Sequence, residues 1–121
     1  MNPNIFIIWS TGKLGSKLLR YCHKNNIKIF GISCFKNKKK LISQSKKYKI
    51  NNLFCLSLIE ESINFDYFLS SNNIDIIYFL DTSAYSIKHL YQFNKFQRNS
   101  LICIANKELV ISCGPLLNKL S

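Results

Sequence analysis

The stretch Asn4-Ile5-Phe6-Ile7-Ile8-Trp9-Ser10-Thr11-Gly12-Lys13-Leu14-Gly15 decides how the chain is read. Its first half is apolar and of strand length, and its second half is a glycine turn. A helical pattern carried by Lys17, Leu18, Leu19, Tyr21 and Cys22 follows. Strand, glycine turn and helix in this order bring backbone N–H groups and a helix N-terminus to one place, which suits a phosphate. Gly12 allows the backbone to approach a pyrophosphate closely, and Gly15 allows the helix to pack on its strand. Trp9 stands where such a turn usually has its first glycine. A glycine turn between any strand and any helix reads the same way, so the pattern alone leaves both readings open.

Outward from this turn, strands and helices alternate. Ile27–Ser33 reads as a second strand and Lys38–Tyr48 as a polar helix anchored by Leu41 and Ile42. Asn52–Leu56 is a third strand, and Leu58–Ser70 an amphipathic helix carrying Leu58, Ile59, Ile63, Phe65 and Phe68. Ile74–Leu80 and Ser100–Ala105 are further apolar strands with a helix, Tyr85–Phe96, between them. From Lys107 onwards the pattern turns helical, interrupted by Gly114-Pro115. Short, wholly apolar strands alternating with helices predict an α/β fold, a parallel sheet with helices on both faces. Ligands in such sheets sit at the carboxyl ends of the strands. The segments to inspect are therefore Ser10–Gly15, Cys34–Asn37, Asp81–Ala84 and Asn106–Glu108.

The 121 residues suit one domain, residues 1–121, with enough apolar side chains for a real core. No secretory signal or transit peptide is visible, and no apolar run reaches the ~20 residues of a membrane helix. The net charge of +11 is carried mostly by lysine, alongside many Asn, Ile, Phe and Tyr. All of these have AT-rich codons, so base composition accounts for the charge without a nucleic-acid partner, and no nucleic-acid motif is present. The five cysteines, at 22, 34, 55, 103 and 113, form no CxxC pair and no metal-spaced cluster with histidine. Cys55 and Cys103 read as free thiols in apolar strands, and the odd, patternless count points to a reducing, cytoplasmic compartment. His23 and His89 stand alone and read as surface or packing residues.

The loop after the second strand, Cys34-Phe35-Lys36-Asn37-Lys38-Lys39-Lys40, has no acid. An NAD site usually carries an Asp or Glu here for the ribose hydroxyls, whereas an NADP site offers cations to the 2′-phosphate. The loop favours NADPH over NADH. A solvated lysine run in a lysine-rich chain accounts for it equally well.

The segment Leu101-Ile102-Cys103-Ile104-Ala105-Asn106-Lys107-Glu108-Leu109-Val110 resembles the Ala-Asn-Lys-Glu segment of 1-deoxy-D-xylulose 5-phosphate reductoisomerase, and Ser112-Cys113-Gly114 matches the small-residue-glycine pair of the helix that follows it. Ser10-Thr11-Gly12-Lys13-Leu14-Gly15 is similar to that family's Gly-Ser-Thr-Gly-Ser-Ile-Gly turn, and Lys36-Asn37 resembles its Gly-Lys-Asn. The three motifs occur in the family's order at nearly its spacing, and the resemblance covers essentially the whole chain. It implies a Rossmann-like NADPH-binding domain belonging to an NADPH-dependent oxidoreductase and isomerase of the non-mevalonate route to isoprenoids. That reaction converts 1-deoxy-D-xylulose 5-phosphate to 2-C-methyl-D-erythritol 4-phosphate and uses Mg or Mn.

By motif position the resemblance implies cofactor-binding roles for Ser10, Thr11, Gly12, Lys13 and Leu14 at the phosphates and ribose. It implies Lys36 and Asn37 for the 2′-phosphate end, Asn106 and Glu108 for the nicotinamide side, and Lys107 for the sugar-phosphate substrate. Three features depart from the family. Trp9 and Phe35 replace glycines, and Asp81-Thr82-Ser83-Ala84-Tyr85 is bulkier and more acidic than the family's run. The family's metal-binding acids and mobile substrate loop come after the point that corresponds to Ser121. The chain's own acids are Glu60, Glu61, Asp66, Asp75, Asp81 and Glu108, and their spacing offers no metal site and no catalytic residue. The expectation is therefore an NADPH-binding portion, inactive by itself, with a separately encoded catalytic half as a possible partner. A free-standing dinucleotide-binding module without catalysis is the alternative, and a basic nucleic-acid-binding domain is the third reading.

Overall fold

A computed structural model describes residues 3–80, 100–105 and 111–114. The elements are β1 (Ile5–Ile8), α1 (Lys13–Lys24), β2 (Gly31–Cys34), α2 (Lys38–Tyr48), β3 (Asn52–Cys55), α3 (Ile59–Ser71), β4 (Ile76–Phe79), β5 (Leu101–Ala105) and β6 (Ile111–Gly114). They form one sheet of order β3-β2-β1-β4-β5-β6. The first five strands are parallel, and β6 runs antiparallel to β5. The fold is Rossmann-like α/β.

Alternation along β1 explains the layers. Successive side chains of a strand point to opposite faces. Phe6 and Ile8 join one buried cluster with Phe65, Phe68 and Leu69 of α3, together with Ile77 and Phe79 of β4. Ile7 joins the other, with Leu19 of α1, Ile32 of β2 and Leu41 of α2. Helices thus cover both faces, and β1 is buried throughout. The Phe6 ring lies 5.3 Å from that of Phe65 and 5.7 Å from that of Phe68, within the range of aromatic pairing. The chain leaves β1 toward β2 and β3 on one side and returns to β4 on the other. The reversal of strand order therefore falls between β1 and β4, where open α/β sheets bind their ligands.

Several expectations need correction. The second strand begins at Gly31, although Phe30 already donates its N–H to Ile5 O at 2.8 Å. In α2, Leu41 is fully buried, but the second anchor is Gln44, and Ile42 is exposed. In α3, Phe65, Phe68 and Leu69 face the core, whereas Leu58, Ile59 and Ile63 are exposed. The segment expected to be helical beyond Lys107 contains strand β6. Without β6, Leu101–Ala105 would be an edge strand with unpaired backbone groups, and Ile111–Gly114 pairs with it. Gly114 also precedes Pro115, a position biased to extended backbone.

The same hairpin corrects a cysteine. Cys103 is disulfide-bonded rather than a free thiol. Cys113 is its directly opposite residue in the β5–β6 register, a separation that suits a disulfide. Cys22, Cys34 and Cys55 are free and buried. His23 is exposed, with its ring edge-on to Tyr48 at 5.2 Å. The helix expected over Tyr85–Phe96, with His89, lies outside the described residues.

Candidate functional site

The carboxyl end of β1 runs through Trp9 into Ser10 and the N-terminus of α1. Ser10 and Thr11 are buried, Gly12 is the N-cap residue, Lys13 is exposed, and Leu14 is half-buried. The turn closes through a Gly12 N–H to Trp9 O bond of 3.4 Å, and Ser16 N–H donates to Gly12 O at 2.9 Å. No side chain caps the helix, and its first turn holds no acid. The N–H groups of Thr11, Lys13 and Leu14 find no acceptor among the described residues. Orphan N–H groups at a helix start, with the positive end of the helix dipole behind them, attract an anion.

Gly15 fixes where α1 begins relative to β1. A Cβ at this position would lie 2.3 Å from Trp9 O and 2.7 Å from Ser10 Cα, so only glycine lets the helix approach the strand end. Trp9 has φ 67°, a left-handed conformation that costs a non-glycine residue roughly 1–3 kcal/mol. Its indole fills the space a Cβ of Gly12 would enter, with Cδ1 at 3.3 Å. We expect Trp9→Gly to tighten NADPH binding several-fold by clearing the turn. Its stability should change little, because relief of the backbone offsets the lost indole packing. Calorimetric titration of the variant checks this, and weaker or equal binding shows that the turn has adapted to the indole.

The second predicted cluster is a neighbour of the first. Strands β1 and β2 are adjacent and parallel, with Ile8 opposite Ser33, and Ser10 N–H donates to Ser33 O at 3.0 Å. Phe35, Lys36 and Asn37 therefore leave the sheet beside the glycine turn. Lys36 is exposed, with Nζ 5.7 Å from the Phe35 ring centre. Asn37 is the N-cap of α2, and its Oδ1 accepts the Lys40 N–H at 3.2 Å. Lysines at a helix N-terminus oppose the helix dipole. Among the described residues, Lys38 has a carboxylate partner, Glu61 Oε2 at 2.8 Å, and that hydrogen bond raises the Lys38 pKa. Glu61 Oε1 accepts Cys55 N–H at 2.9 Å, so this carboxylate is committed on both oxygens.

Buried Cys34 and Cys55 end β2 and β3 side by side. Burial, followed by the neighbouring Cys55, pushes the Cys34 thiol up to about 12, so it behaves as an apolar filler rather than a nucleophile. Beyond β3 a recess of about 520 Å³ opens between Lys38, Ser57, Leu58, Ile59 and Glu61. The recesses lined by His23 and Tyr48, and by Asn4 and Asn52, lie at the opposite, amino ends of the strands.

The remaining predicted residues, Asn106, Glu108 and Lys107, lie outside the described residues, as does the segment from Asp81 to Tyr85. The strand leading to them is placed. Ile8 is opposite Phe79, and Phe79 is opposite Ile104, so β5 ends on the same sheet edge as the glycine turn. Sequence reasoning missed Gln44, whose buried amide contacts Ser10 and Ser16. A polar residue on the expected core face of an otherwise polar helix was the available signal. For a divalent metal the described residues do not fit, since no group of three His, Cys, Asp or Glu side chains occurs among them.

Comparison with known proteins gives the same answer as the motifs. No protein-family model matches the chain. The 1-deoxy-D-xylulose 5-phosphate reductoisomerase of Helicobacter pylori strain J99 is 28% identical over 123 residues, 93% of this chain. Those of strains 26695 and HPAG1 are 27% and 26% identical over the same share. The chain is similar to these reductoisomerases over most of its own length. It spans 33% of the length of the curated reductoisomerases it matches. A crystal structure of the reductoisomerase in complex with magnesium superposes with a TM-score of 0.67 at 15% identity, over 89% of this chain and 32% of that one. That likeness shows a shared fold.

Proposed function

We propose that the chain is the NADPH-binding portion of a 1-deoxy-D-xylulose 5-phosphate reductoisomerase, working in the cytoplasm, with residues 1–121 as one dinucleotide-binding domain. The observation that carries this reading is the turn after β1. N–H groups with no acceptor among the described residues, a glycine-tight helix start and exposed Lys13 converge on one sheet edge at the reversal of strand order. Ser10, Thr11, Gly12, Lys13 and Leu14 would hold the pyrophosphate and adjoining ribose. Lys36 and Asn37 would hold the 2′-phosphate, which offsets the repulsion among the lysines that open α2. Asn106 and Glu108 would face the nicotinamide, and Lys107 the sugar-phosphate substrate. From β2 to β5 is three strand spacings, roughly 14 Å, an extent that suits a dinucleotide laid across the sheet edge.

When bound, NADPH supplies hydride to an aldehyde; the chain's own residues bind and orient it. Substrate rearrangement with Mg or Mn belongs to the complete enzyme, and a separate catalytic half would be the chain's partner.

Titration with both cofactors tests the reading. NADPH should bind more tightly than NADH, and Lys36→Glu should weaken NADPH by about tenfold or more while leaving NADH nearly unchanged. Equal affinities for the two cofactors sink the 2′-phosphate assignment.

A further inference from the structure

Gln44 lies in the middle of α2, 6% exposed, where its helix neighbour Leu41 meets the core with a wholly apolar side chain. An apolar residue would fill the same place without burying an amide, which is costly unless every polar atom is matched. Here all are matched, and to a single turn. Ser10 Oγ donates to Gln44 Oε1 at 2.8 Å. Gln44 Nε2 donates to Ser10 O at 2.8 Å and to Ser16 Oγ at 3.3 Å. With its N–H on Ser33 O, Ser10 is held at its amide, its carbonyl and its hydroxyl.

We propose that Gln44 is a positioning residue for dinucleotide binding, setting the plane of the Ser10–Thr11 peptide so that the Thr11 N–H is presented to a phosphate. The proposal rests on the cofactor-binding reading above. In a trans peptide the C=O and the following N–H point in opposite directions, and no cis bond occurs here. Fixing Ser10 O toward α2 therefore turns Thr11 N–H away from α2. That N–H finds no acceptor among the described residues. The helix that carries Gln44 starts at the Lys36-Asn37 loop, so one rigid element ties the glycine turn to the loop assigned to the 2′-phosphate. A dinucleotide bridging both then meets two contacts already in register, which lowers the ordering cost of binding.

The test is calorimetric titration of the 121-residue chain with NADP⁺, with melting and circular dichroism on each variant. Gln44→Ala should fold and bind about tenfold more weakly or worse. Gln44→Glu adds a readout that a purely structural role does not move. Near pH 8 its carboxylate accepts from Ser10 Oγ but has no proton for Ser10 O, so binding should fall. Toward pH 5 the protonated carboxyl donates again, and the affinity ratio of variant to parent should recover. The ratio cancels titration of the cofactor's own phosphate.

If the parent binds NADP⁺ and folded Gln44→Ala and Gln44→Glu bind like it, or the ratio is flat with pH, the proposal is overturned and the cofactor reading stands. If all Gln44 variants are unfolded at every pH, Gln44 is purely structural and the proposal is again overturned. Failure of the parent chain to bind NADP⁺ removes the cofactor reading itself, and the proposal with it.

Discussion

Gly15→Ala should cost at least about 3 kcal/mol, lower the melting temperature by roughly 10 °C or more, and abolish NADPH binding. The three atoms nearest a Cβ at Gly15 are all backbone: Trp9 O at 2.3 Å, Ser10 Cα at 2.7 Å and Ser10 C at 2.9 Å. No rotamer change relieves such an overlap, so α1 must lift from the end of β1. That movement withdraws Leu19 and Cys22 from the core and spoils the convergence of turn and helix N-terminus. Gly12→Ala is the control. Gly12 has φ −71°, which any residue adopts, and the nearest atoms belong to the indole of Trp9, a side chain that can yield. It should melt close to the parent while binding more weakly, because its Cβ enters the turn itself. Thermal melts and cofactor titrations of the two variants check both statements. A Gly15→Ala protein that melts with the parent contradicts the packing described for β1 and α1.

These two glycines mark what could be read from the sequence. The β1–turn–α1 unit was legible because Ile5–Ile8 is apolar without interruption and glycine has few other reasons to recur at 12 and 15. Helix α2 falls on its expected residues, Lys38–Tyr48, because its ends are local. Asn37 caps it, and Lys49 closes it in the left-handed conformation at φ 56°. What escaped was non-local. Strand β6 depends on the unpaired edge of β5, which no window around Ile111 contains. The expected free thiol at Cys103 failed with it, since only the hairpin register brings Cys113 opposite. Gln44 looks like any polar residue of a polar helix until β1 is placed against α2. On α3, Phe65 and Phe68 of the expected amphipathic set took the buried face around Phe6 together with Leu69, which the pattern left out, whereas Ile59 and Ile63 are exposed.

The 121-residue chain supplied alone with 1-deoxy-D-xylulose 5-phosphate, NADPH and Mg²⁺ should bind cofactor and give no turnover. Six acids are available to it as metal ligands. Glu61 is committed to Lys38 and to Cys55 N–H. Asp75 accepts the Asn4 N–H at 2.7 Å, at the amino end of β4 and so on the sheet edge away from the glycine turn. Glu60 is exposed in the first turn of α3, and Asp66 lies further along the same helix. Helix-surface acids of this kind do not converge as the ligands of a small hard cation must. Asp81 and Glu108 lie outside the described residues, and two carboxylates fall short of the set that polarises adjacent substrate oxygens during a rearrangement. The assay is NADPH oxidation by purified chain freed of host enzyme, with and without Mg²⁺. Adding a separately produced catalytic portion should restore turnover, and Gly15→Ala in the mixture should remove it again. Metal-dependent oxidation by the chain alone, well above background, would mean that Asp81 and Glu108 complete a metal site with further groups of this chain. Asp81→Asn and Glu108→Gln would then be the first variants to make.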